Sequence, residues 1–121
     1  DASRVTLLDT GRPVSFAVND SLSREVKDLL GNWILIEAHR FQPATAANLR
    51  AAGLDRAPRS MVWLRGERVL ARVEIGSEAG EDVALYVPEG EAARPAEILF
   101  ARRDAVLPIF NALEQHATGS P

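Results

Sequence analysis

The sequence contains no cysteine. That absence excludes disulfides, thiolate catalysis and cysteine-based zinc sites. It leaves the redox compartment open, since a disulfide-free domain can live in either. Lysine is almost missing as well, and Lys27 is the only one. Arginine in its place reads as the coding bias of a GC-rich genome rather than as selection for phosphate grips. No strong charge of one sign exists. A net charge of −3 gives no overall pull toward nucleic acid or an acidic membrane. Nor is there an apolar run of about 18 residues, so no segment reads as a spanning helix. No signal peptide is visible.

What is present suits one domain. The chain has 121 residues, of which 46% are hydrophobic and 26% charged, enough to bury a core without staples. The start at Asp1 fits a mature form or a domain excised from a longer chain. The small, polar end at residues 117–121 is expected to fray.

Apolar spacing and turn residues predict an α+β fold. Residues 3–18 read as two short strands around a turn punctuated by Asp9, Gly11 and Pro13. A helix follows near 21–30, with Leu22, Val26, Leu29 and Leu30 on one stripe and Asp20 or Ser21 as its cap. Residues 32–41 read as a strand. Its apolar centre at 33–36 suggests burial on both faces, hence a central position. A short helix near 44–52 opens at Pro43 and closes at Gly53. An antiparallel meander then covers about residues 60–100. A last helix is expected near 107–116, since Pro108 fits best in a first helical turn. The helices are expected to pack on the sheet.

Residues 53–76 are the most organised stretch. They hold three glycines, five arginines and Trp63. Residues 60–65 and 68–75 alternate with period 2 around Gly66-Glu67, which suits a two-residue turn with glycine first. In that register Leu64 faces Val69, Val62 faces Ala71, and Ser60 faces Val73. Val62, Leu64, Val69, Ala71, Val73 and Ile75 then form a core face. Trp63 and Leu70 lie opposite, with Met61, Arg65, Arg68, Arg72 and Glu74. Residues 76–82 read as an acidic turn.

Chemistry-bearing patterns are scarce. Gly76 and Gly80 precede acids and a strand, which is the wrong charge and context for a phosphate loop. Glu78, Glu81 and Asp82 lack the alternating spacing of a calcium loop. His39 and His116 form no His-x-x-x-His pair, so no metal site is expected. None of the serines sits in a nucleophile elbow. No cofactor is implied. A candidate binding face remains: Trp63, Arg65, Arg72 and Tyr86, the aromatic-plus-arginine composition of interface hot spots. The competing reading is that a helix or the arginine stems cover Trp63.

Gly53, Leu54, Asp55, Pro58, Ile75, Gly76, Tyr86 and Val87 follow the order Gly-Leu-Asp-x-x-Pro, hairpin, Ile-Gly, turn, Tyr-Val. With the preceding short helix and the closing strand and helix, this resembles a bacterial domain family of unknown function. Its members occur in envelope proteins, some of them auxiliary components of gliding-motility-type ABC transport. One extra residue between Asp55 and Pro58 departs from the usual spacing, and the loop after Pro88 is rich in proline and alanine. The resemblance covers about residues 40–110. It implies an α+β domain on the periplasmic side of the envelope that acts through contacts, and it carries over no catalytic residue.

The expected function is therefore a non-catalytic binding or scaffolding domain with a protein partner. Nucleic acid is not expected, and the oligomeric state is left open. A small-ligand or peptide carrier, with a pocket between sheet and helices, is the first alternative. A small hydrolase using a carboxylate pair is the second.

Overall fold

The computed structural model describes residues 4–9, 12–18, 24, 28, 37–91 and 93–118. The helix expected near 21–30 lies outside the described residues, apart from Arg24 and Asp28. The apolar run 33–36 lies wholly outside them.

Seven described strands form one sheet. They are β1 (Arg4–Asp9), β2 (Arg12–Ala17), β3 (Arg40–Pro43), β4 (Arg59–Arg65), β5 (Arg68–Ala79), β6 (Asp82–Glu89) and β7 (Glu97–Arg102). Two helices, α1 (Ala46–Ala51) and α2 (Arg103–Thr118), complete the described elements. The sheet order is β2-β1-β4-β5-β6-β7-β3, and every neighbouring pair is antiparallel. The class is α+β. The run β4 to β7 is a meander, with β1–β2 added beyond β4 and β3 beyond β7.

Two-residue connections set this order. Gly66 takes φ 60° between β4 and β5, and Gly80 takes φ 65° between β5 and β6. A residue with a Cβ resists that left-handed backbone. The acidic segment 76–82 is thus mostly strand, and only Gly80-Glu81 turns. Strand pairing extends through it because the ladder resumes at Glu78–Val83.

Strand alternation sorts the apolar side chains onto two faces. On the first face Val5, Leu7, Met61, Ile75, Val83 and Ala101 are wholly buried. They share one cluster with Val106, Phe110 and Leu113 of α2. On the second face Ala84, Ile98 and Phe100 cluster with Leu54, with Leu49 of α1 packed beside them.

Helix α2 starts at Arg103 and not near Leu107, so Pro108 lies inside it. The missing N–H deprives only the Asp104 carbonyl, close to the helix start, where the loss is smallest. Val106 and Phe110, both fully buried, anchor the helix on either side of the proline. Ala117 and Thr118 continue the helix, and residues 119–121 lie outside the described residues.

The short helix α1 is built from its caps. Thr45 Oγ1 accepts from the Asn48 N–H at 3.1 Å. At the other end the Gly53 N–H donates to the Arg50 carbonyl at 3.1 Å, and the Leu54 N–H to the Leu49 carbonyl at 2.8 Å. With Gly53 at φ 70° this is a Schellman ending, and Leu49 and Leu54 supply its apolar contact. The β5 strand bulges between Ile75 and Glu78, which frees the Ser77 N–H to donate to the Ala52 carbonyl at 2.7 Å. The helix end and the bulge thus interlock.

Candidate functional site

The four residues of the expected binding face do not converge. The reason is a bulge between Trp63 and Leu64. Leu64 pairs with Val69, but Trp63 pairs with Ala71, Val62 with Arg72 and Met61 with Val73. Leu70 is the extra residue, and it inverts the faces of β4 relative to the simple register. Met61 becomes fully buried. Trp63 lies between Val5 and Ala71 on the first face, packed against the main cluster. Val62, expected in the core, shares the second face with Arg72.

Trp63 is therefore in large part a packing residue. Its Nε1 is buried and has no hydrogen-bond partner among the described residues. Trp63→Ala is expected to cost about 2 kcal/mol, less than for a fully buried tryptophan. Trp63→Phe, which removes the orphan donor and keeps a ring, is expected to cost less than about 1.5 kcal/mol. Urea melts of the two variants check this. A Trp63→Ala melt equal to wild type would place the indole outside the packing.

Arg72 and Tyr86 lie on the same, second face. Arg72 bonds Glu89 through Nε, and the two are strand partners. Glu74 pairs with Tyr86 on one side and with Ser60 on the other. The Tyr86 hydroxyl donates to the Pro95 carbonyl at 2.8 Å, holding the loop before β7 against β6. Partial burial pushes the Glu74 carboxyl above the ordinary glutamate range. Arg72 opposes this shift and Glu89 adds to it. Arg65 sits apart, exposed at the end of the β4–β5 hairpin opposite Arg68.

The β3 edge carries a feature the sequence reading missed. Phe41 is 45% exposed, the one large hydrophobic side chain so exposed among the described residues. The Arg94 guanidinium lies 5.3 Å from its ring centre, and Arg94 also bonds Glu97 at 2.9 Å. The Arg40 guanidinium lies 4.0 Å over the Phe100 ring. Phe100 packs in the same cluster as Tyr86. Just before β3, His39 Nε2 reaches Asp82 Oδ1 at 2.9 Å. The aromatic was legible in "HRFQP", where Pro43 marks an edge position.

Two further charge groups flank the sheet. At one end Arg102 forks onto Asp104 through two bonds of 3.1 Å, and Arg103 reaches Glu78 at 3.2 Å. The Arg102 bond holds the exposed Asp104 carboxyl below its ordinary range. At the other end Arg59 lies 3.7 Å from Asp9. Among the described residues no group of three or more His, Asp or Glu side chains could hold a metal ion, and no helix is long and apolar enough to cross a membrane. Comparison with protein-family models, curated proteins and solved structures finds no match to this chain.

Proposed function

We propose that this chain is a non-catalytic binding or scaffolding domain that meets a protein partner along the β3 edge. The resemblance around Gly53, Gly76 and Tyr86 makes a bacterial envelope assembly, on its periplasmic side, the setting. The observation that carries the reading is Phe41, an exposed aromatic on an end strand with an arginine over its ring. An apolar ring beside a guanidinium offers contact area together with a polar handle. Among the described residues β3 ends the sheet, and an end strand offers backbone groups for pairing. Arg40 and Tyr86 extend the same edge onto the second face.

Phe41→Ala is expected to leave the unfolding free energy within about 0.5 kcal/mol of wild type. It is expected to weaken partner binding about thirtyfold, the effect of a 2 kcal/mol hot spot. The check is a titration with the partner purified on wild-type bait from the envelope fraction of the source cells. Equal affinity of wild type and variant would remove the β3 edge from the interface.

A further inference from the structure

We propose that the partner meets β3 with an extended segment in which an aspartate or glutamate neighbours an apolar residue. The carboxylate pairs with Arg40, and the apolar side chain packs on Phe41. The inference rests on the β3 edge being the interface.

Arg40 is placed to receive a carboxylate. It is the strand partner of Phe100, and its guanidinium lies 4.0 Å over that ring. Phe100 is buried in the second-face cluster, so the ring is a fixed support. Arg40 itself is exposed. An arginine stacked on a ring still presents its N–H fork, whose geometry matches a carboxylate. Its neighbours show the contrast. His39 contacts Asp82, and Arg94, over Phe41, bonds Glu97. Among the described residues no carboxylate pairs with Arg40.

Strand alternation then sets the partner's shape. Arg40 faces Phe100 of the second-face cluster, and Phe41 pairs with Leu99, which packs on the first. The two side chains thus stand on opposite faces of one strand. A partner that touches both must straddle the outer side of β3. An extended segment does so, because its own successive side chains point to opposite faces. The acid and the apolar residue are therefore adjacent in its sequence. The backbone of β3 suits the same approach. The Ala44 N–H donates to the Ala96 carbonyl at 2.9 Å, so the ladder turns Gln42 toward β7 and the Phe41 N–H and carbonyl away from it. Pro43 has no N–H, and its carbonyl accepts from Asn48 Nδ2 at 3.0 Å. Strand pairing with the partner is thus confined to Phe41, and the side chains carry the specificity.

The test titrates the partner, purified on wild-type bait, against wild type, Phe41→Ala, Arg40→Gln and Arg40→Lys. Arg40→Gln is expected to bind about tenfold more weakly than wild type and to lose part of the salt dependence. Arg40→Lys puts an amine at position 40 of a chain whose one natural lysine is Lys27. Carbodiimide is expected to couple that amine to the bound partner, and mass spectrometry of the joined peptides reads the acceptor. The expected product is an amide to an aspartate or glutamate beside an apolar residue. Three results overturn the proposal: unchanged affinity and salt dependence in Arg40→Gln, no amide from position 40, or an amide to an acid with no apolar neighbour. If Phe41→Ala still weakens binding in those cases, the β3 edge remains the interface. If Phe41→Ala binds as wild type does, that reading fails and the inference fails with it.

Discussion

Replacing Phe110 by alanine is expected to remove about 3–5 kcal/mol of stability, the largest loss from any single truncation among the described residues. Phe110 is fully buried, and it is the bulkiest of the fully buried side chains among the described residues. It joins α2 to a cluster that draws on β1, β2, β4, β5, β6 and β7. Its deletion leaves both a lost transfer energy and a cavity that a sheet this broadly shared cannot close. A domain of this size has a total stability of about 5–15 kcal/mol, so the loss is a large part of the whole. The melting temperature should fall by about 12–20 °C. Differential scanning calorimetry checks this, and a fall of only a few degrees would mean that α2 is not integral to the core.

Gly76→Val is expected to cost about 3 kcal/mol or more by forcing α1 away from β5. A Cβ at Gly76 would stand 2.3 Å from the Ala52 carbonyl oxygen and 2.9 Å from Leu54 Cγ. Backbone cannot yield as the end of a flexible side chain does, so overpacking here moves the whole helix end. The Ser77 N–H to Ala52 bond is lost in the same movement. Gly76 has no positive φ, so the cost is one of space and not of backbone strain. Gly66→Ala gives the contrast. Nothing lies within 4 Å of its Cβ, but its φ is 60°, so it is expected to cost only about 1–2 kcal/mol. Urea midpoints of the two variants separate the mechanisms. Equal and small losses would contradict a steric interlock at Gly76.

These two residues also show what the sequence carried. The apolar spacing of Val106, Ile109, Phe110 and Leu113 marks one face of α2; Val106, Phe110 and Leu113 are fully buried there and Ile109 is partly buried. Pro108 obscured where that helix begins, because its local preference yields to burial on both sides of it. Gly66 and Gly80 announced two turns. The glycine at position 76 was legible as a stop, yet it proves to be a point of close approach inside a strand. That difference depends on Ala52, which is distant along the chain. The hairpin faces failed for a sharper reason. Both phases of β4 are apolar, Met61 and Trp63 in one, Val62 and Leu64 in the other. Period 2 alone therefore cannot choose between them, and the single extra residue of the bulge decides. The candidate site inherits that ambiguity. Arg72 and Tyr86 share a face on neighbouring strands of the meander, while Trp63 crosses to the other. Phe41 read as the end of a buried strand, since its exposure depends on β3 taking the edge of the sheet.

The measurement that bears most directly on the binding reading is photo-crosslinking in the source cells. A photoreactive residue replaces Phe41 in one version of the chain and Glu67, exposed at the β4–β5 turn, in another. The account predicts one discrete protein adduct from position 41 and none from position 67. An adduct from position 67 with none from position 41, or the same adducts from both, would contradict it.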